Sequence, residues 1–109
     1  DDGLLDNSKM LGEVFIDNLN RIKQRFGNHI SDVQGKGLIG ALIFNDENRT
    51  PLVSICDQVS ELCLQRGLLV VHTGRESIKL APPLSITEEA MLEGINVLEQ
   101  SIYDVISKL

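Results

Sequence analysis

The sequence predicts an α/β (α+β) domain in which a small mixed or antiparallel sheet of about three strands is covered by helices, in the order α-β-α-β-β-α. Three observations predict it. Long stretches at both ends space their apolar residues by three and four, as amphipathic helices do. Short apolar or alternating runs at 38–44, 68–72 and 77–80 have the length and pattern of strands. Polar or glycine-bearing breaks separate these segments, so each ends where the chain can turn. At 109 residues the chain is expected to be one domain, long enough to bury a core without metal or disulfide staples.

The first helix is carried by Leu4, Leu11, Val14, Phe15, Leu19, Ile22 and Phe26. Asp1, Asp2 and Asp6 stand at its start and Arg21, Lys23 and Arg25 near its end, as the helix dipole prefers. Gly27-Asn28 is a suitable stop. Gly12, inside it, costs about 1 kcal/mol relative to Ala, and close packing is one account of its presence.

Leu38 to Phe44 reads as a strand buried on both faces, bounded by the polar turn Asn45 to Arg49. Thr50 and Pro51 fit the N-cap and first position of a helix. Its buried face is Ile55, Cys56, Val59, Leu62 and Cys63, and it runs to about Arg66 before Gly67 ends it. Leu68 to His72 follows as an apolar strand, and Thr73 to Glu76 suit a hairpin leading to Ser77–Leu80. A crossover through the middle helix should be right-handed, with the last strand pairing antiparallel.

Ile78 and Leu80 alternate with Ser77 and Lys79, which gives that strand one apolar and one polar face. Pro82 and Pro83 cannot donate to a ladder, so pairing stops there. Thr87 then caps a final helix, with Glu88 and Glu89 in its first turn and Ile86 and Met91 at the two positions of a hydrophobic staple. Met91, Ile95, Leu98, Ile102, Val105, Ile106 and Leu109 form its buried side.

Composition narrows the function. Ten basic against sixteen acidic side chains give −6 at pH 7, which argues against nucleic acid and anionic membrane surfaces as partners. No apolar run approaches a membrane span, and no signal-peptide pattern opens the chain, so a cytoplasmic location is expected. The chain starts at Asp1 without an initiator Met, which leads us to expect a piece of a longer polypeptide.

Cys56 and Cys63 are seven residues apart on one expected helix, about 10 Å of rise, too far for a disulfide. Two Cys and two distant His do not make a metal site, and the thiols are expected to be buried and structural. Gly35-Lys36-Gly37-Leu38-Ile39-Gly40 matches the dinucleotide fingerprint G-x-G-x-x-G, but a strand follows it instead of a helix, so it is rejected. His72 at a strand end, His29 in a polar turn and Arg75 at a hairpin tip have local structural readings. Glu88 and Glu89 are read as helix-start charges.

Two stretches carry a family resemblance. The run Ile78-Lys79-Leu80-Ala81-Pro82-Pro83-Leu84 followed by Ile86-Thr87-Glu88-Glu89 resembles the C-terminal small domain of class III, fold type I, pyridoxal-phosphate-dependent aminotransferases. Val33-Gln34-Gly35-Lys36-Gly37-Leu38 is similar to a Val-Arg-Gly-x-Gly-Leu segment leading into a strand of that domain, with Gln34 where Arg is usual. The resemblance covers nearly the whole chain. It implies one small domain, residues 1–109, of a larger enzyme that moves an amino group from an ω-amino acid, diamine or similar amine to an oxo acid. An aminomutase or racemase is the related possibility within the family.

The Schiff-base lysine and pyridoxal 5′-phosphate site would then belong to the large domain of the same enzyme, with no cofactor on this chain and no activity alone. The small domain would close over the site, help select substrate and work in a homodimer. No catalytic, cofactor-binding or metal-binding residue is assigned within it. Lys79 is the substrate-binding candidate, because it occupies the position where many members place a carboxylate-binding Arg. A non-catalytic α/β module that binds a ligand or partner subunit is the alternative from a different class.

Overall fold

The computed structural model describes residues 2–72, 74–83 and 85–109, with side chains in the first helix from residue 9 onward. The expected roles of the Asp1, Asp2, Leu4 and Asp6 side chains, and those of Thr73 and Leu84, lie outside the described residues. The elements are α1 (Asp2–Arg25), β1 (Asp32–Lys36), β2 (Ile39–Ile43), α2 (Val53–Gln65), β3 (Ser77–Leu80) and α3 (Glu88–Ile106). The fold class is as expected, and among the described residues three helices pack on a three-stranded antiparallel sheet in the order α-β-β-α-β-α.

The difference in order has a physical cause. β1 is mostly polar and exposed, so it carries little hydrophobic signal, yet it pairs with β2 from Asp32↔Ile43 to Lys36↔Ile39. Leu68 to His72 is apolar but meets the sheet through one bridge, Val71↔Lys79. That segment runs in the same direction as β2, as a crossover through α2 requires. β3 is inserted between the two and is antiparallel to both. The parallel relation expected around α2 is thus kept in direction without direct contact.

Gly12 finds its explanation here. A Cβ on Gly12 would lie 2.7 Å from the Cα of Gly37, so α1 rests directly on the β1–β2 turn. Gly37 itself turns with φ 62°, where side chains are disfavoured. One strand further in, Gly40 leaves the space filled by Phe15 and Leu19.

The core lies between the inner sheet face and the three helices. Phe15, Leu19 and Ile22 of α1 meet Leu42 and Ile78 of the sheet, Cys56, Val59 and Cys63 of α2, and Leu98 and Ile102 of α3. Each such burial contributes about 1.5–3 kcal/mol.

The start of α2 departs from expectation. Thr50 and Pro51 precede it, and the N-cap is Leu52 without a side-chain cap bond. The loop uses Asp46 instead, whose Oδ1 accepts from the amides of Asn48 and Thr50, while Pro51 bridges to Asn45. At its other end Gly67 (φ 87°) allows the Leu68 amide to reach the Cys63 carbonyl and its own amide to reach Leu64, a Schellman stop. Thr87 caps α3 as expected, its Oγ1 accepting from the Ala90 amide at 3.1 Å.

Glu99 ties α3 to α1. Its carboxylate accepts from Arg21 at 2.9 and 3.0 Å and from Arg25 at 2.8 Å. The Arg25 guanidinium also lies over the rings of Phe26 and Tyr103. The hydrogen bond from Arg21, ahead of that from Arg25, holds the Glu99 carboxyl below its ordinary range against the opposing effect of burial.

Candidate functional site: the outer face of the sheet

Ile78 and Leu80 both turn into the core, so alternation sends Lys79 to the opposite face, where it is exposed. The pairing registers then fix its neighbours. Gln34 and Lys79 both face Ala41, one from each side, and Val71 pairs with Lys79 on the far edge. One outward row therefore reads Gln34, Ala41, Lys79, Val71. Gln34 and Lys79 stand two strand spacings apart, about 10 Å between their Cα atoms.

Val71 and Lys79 exchange both backbone hydrogen bonds at 2.9 Å, so the backbone that carries the lysine is held on both sides. The surroundings are apolar. Ile39 is 65% exposed, Leu69 79% and Val71 52%. The Lys79 ammonium thus stands beside uncovered aliphatic side chains, with Asp32 and Lys36 of β1 facing outward across the same sheet. A lysine there can meet a carboxylate as a point charge, without the planar fork an arginine would supply.

Beyond Leu80 the chain turns at Ala81-Pro82-Pro83. There an apolar groove of about 210 Å³ opens between Leu68, Leu80, Pro82, Met91 and Ile95. Ile86 and Met91 both line it, so the expected staple also forms its wall.

The remaining candidates fall into place. Gly35 and Lys36 end β1 and Gly37-Leu38 is the hairpin turn into β2, so strands flank the glycines on either side, which is incompatible with the dinucleotide fingerprint. Glu88 and Glu89 are exposed in the first turn of α3. Arg75 is exposed in the bend before β3, and His29 is half-buried after α1.

Cys56 and Cys63 are free and buried. Burial first, then Asp57 and Glu76, push the Cys56 thiol up to about 12, and burial also raises Cys63. His72 is better connected than its sequence position indicates. Its Nδ1 lies 3.3 Å from the Ser77 carbonyl oxygen and its Nε2 meets the Asp57 carboxylate. Asp57 lies fifteen residues away on α2, and no sequence signal joins the two. Among the described residues, no three potential metal ligands converge and no helix is long and apolar enough to cross a membrane.

Pyridoxal phosphate needs a lysine inside a walled cavity together with an anion cradle. Lys9, Lys36, Lys79 and Lys108 are exposed and Lys23 is half-buried on α1. These exposed and half-buried lysines do not fit the group.

The class the fold defines is a mixed α/β domain, three helices backing one face of a three-stranded antiparallel sheet among the described residues. The chain belongs to the class-III aminotransferases, whose family model matches residues 1–102. It is 38% identical over 95 residues to the mitochondrial ornithine aminotransferase of Oryza sativa subsp. japonica, covering 85% of this chain and 19% of that protein. It is 33% identical to the mitochondrial acetylornithine aminotransferase of Candida glabrata, covering 99% of this chain and 23% of that protein. Its fold superposes on the PMP-bound aminotransferase from Vibrio fluvialis with a TM-score of 0.87 at 28% identity, covering 98% of this chain and 24% of that one.

The chain thus spans about a fifth of the length of the curated relatives it matches. The cytoplasmic expectation is corrected by these relatives, since the rice and Candida glabrata proteins are both named as mitochondrial. The absence of a signal-peptide pattern in this stretch carried no information about compartment.

Proposed function

We propose that residues 1–109 form the small domain of a larger, homodimeric class-III aminotransferase that uses pyridoxal phosphate held by its large domain. In that enzyme the outer sheet face closes over the active site and Lys79 receives a carboxylate of the oxo-acid acceptor. The cofactor, when bound, supplies the electron sink for amino-group transfer. The residues of this chain exclude water with Ile39, Leu69 and Val71 and orient the acceptor with the charge of Lys79. The observation that carries the reading is the exposure of Lys79 on the outer sheet face beside Val71, on a backbone paired with β2 on one side and Val71 on the other. The whole-protein activity rests on family membership. The relatives named for ornithine and acetylornithine favour a terminal-amine donor of the ω-amino acid kind.

The test is steady-state kinetics of the enzyme that contains this chain, with Lys79 unchanged, replaced by Ala, or replaced by Arg. Loss of one charge-assisted contact should raise the KM for 2-oxoglutarate about tenfold or more in Lys79→Ala, with the amine half-reaction little changed. Lys79→Arg should keep or improve acceptor affinity. An acceptor KM that is the same in all three proteins overturns the role.

A further inference from the structure

His72 stands between two hydrogen-bond acceptors. A carbonyl oxygen, that of Ser77, faces Nδ1, and the Asp57 carboxylate faces Nε2. Neither partner can donate, so both contacts are hydrogen bonds only when both ring nitrogens carry a proton. A neutral imidazole leaves one lone pair pointing at an oxygen. The His72 side chain is 10% exposed, and its Asp57 partner is 60% exposed.

The groups around it agree in sign. Asp57 of α2 meets it directly, and Asp57 and Glu76 both act on the neighbouring Cys56 thiol, which places the two carboxylates at one corner. Lys79 projects from the other face of β3, and Arg75 is exposed in the preceding bend. Alternation along 68–72 sends His72 inward to α2 and Val71 outward beside Lys79.

We propose that His72 is a positioning residue that, as an imidazolium, latches segment 68–72 to α2 and so fixes the backbone beside Lys79, making acceptor binding weaken as pH rises. The link to acceptor rests on the role given to Lys79 above. The sign follows from the contacts. The two acceptors favour the charged ring, so the latch holds while the ring is protonated and opens when it gives up a proton. When it opens, the Val71–Lys79 pair loses the support of α2. The lysine then samples more orientations before it meets its carboxylate.

The test uses the whole enzyme as wild type, His72→Gln and Asp57→Asn, the last an exposed, isosteric change that does not threaten the fold. Hydrogen exchange of the 68–80 segment, corrected for intrinsic rates, reads the latch at pH 6 and pH 8.5. Protection of the Val71 and Lys79 amides should fall about tenfold between the two in wild type, as expected for loss of one charge-assisted bond. It should be low and independent of pH in His72→Gln, and the fall should shrink in Asp57→Asn. The KM for 2-oxoglutarate should follow the same transition while kcat does not.

Protection that is equal at both pH values in wild type, or a transition that survives His72→Gln, overturns the latch. If Lys79→Ala raises the acceptor KM but pH does not, the failure is that of His72. If Lys79→Ala itself leaves the KM unchanged, the failure is that of the Lys79 reading, and exchange still decides the latch independently.

Discussion

Gly12 of α1 and Gly37 of the β1–β2 turn meet backbone to backbone, with 2.7 Å between the Gly37 Cα and the place a Cβ on Gly12 would take. A helix-interior glycine normally gains about 1 kcal/mol on becoming alanine. Here the added methyl has nowhere to go, because its neighbour is main chain and cannot rotate away. Gly12→Ala is therefore expected to destabilise by about 1–3 kcal/mol. Thermal denaturation checks the sign, and a stabilised variant would show that α1 can lift off the turn freely.

Glu99 gives the fold an acid limit. Its carboxyl is held below the ordinary range by Arg21 first and Arg25 second, so the folded state binds its proton less readily than the unfolded chain. Its contribution is complete above the unfolded carboxylate value, about 4.3, and is lost as pH falls through the lower folded value. Glu99→Gln should cost about 1–2 kcal/mol at pH 7 and flatten the stability profile below pH 4. Urea titrations at pH 7, 5 and 3.5 would show it, and parallel curves for the two proteins would refute it.

The two thiols should be silent in the native state. With Cys56 buried and pushed up to about 12, and Cys63 also raised, neither supplies thiolate at pH 8. Iodoacetamide should leave both unmodified until urea is added, when mass spectrometry should find two adducts. Rapid native alkylation of either would mean that α2 opens from the core.

Thr87→Ala should cost about 1 kcal/mol through loss of the bond from the Ala90 amide to its hydroxyl. Thr87→Ser should recover most of it. Equal stability of the three proteins by chemical denaturation would deny the cap its weight.

Legibility in the sequence followed hydrophobic signal. Ile78 and Leu80 announced both the strand and the outward direction of Lys79. Thr87 and Gly67 marked boundaries because their chemistry is local. β1 stayed hidden because Asp32, Gln34 and Lys36 look outward and Gly35 has no side chain, leaving Val33 as its only apolar residue. Leu68 to His72 misled in the other direction. Its apolar residues divide between a core contact at Leu68 and Val70 and an uncovered face at Leu69 and Val71, with one bridge to the sheet.

The position of Lys79 was readable, but its company was not. Gln34 and Val71 reach it through registers set by the Gly37-Leu38 turn and by the route of the chain around α2. Asp57 and His72 meet for the same reason, since packing of the 68–72 segment on α2 leaves no periodic trace.

The Arg21–Glu99 contact joins residues 78 positions apart, whereas β1 and β2 pair across a turn of two residues. Contacts of such different sequence separation form at different moments, because closing the longer loop costs more chain entropy before any contact rewards it. The β1–β2 hairpin can assemble early, and the clamp between α1 and α3 seals a nearly finished molecule. Breaking that clamp should then hasten unfolding far more than it slows refolding, so the lifetime of the native state, beyond its equilibrium stability, is set where the first helix meets the last.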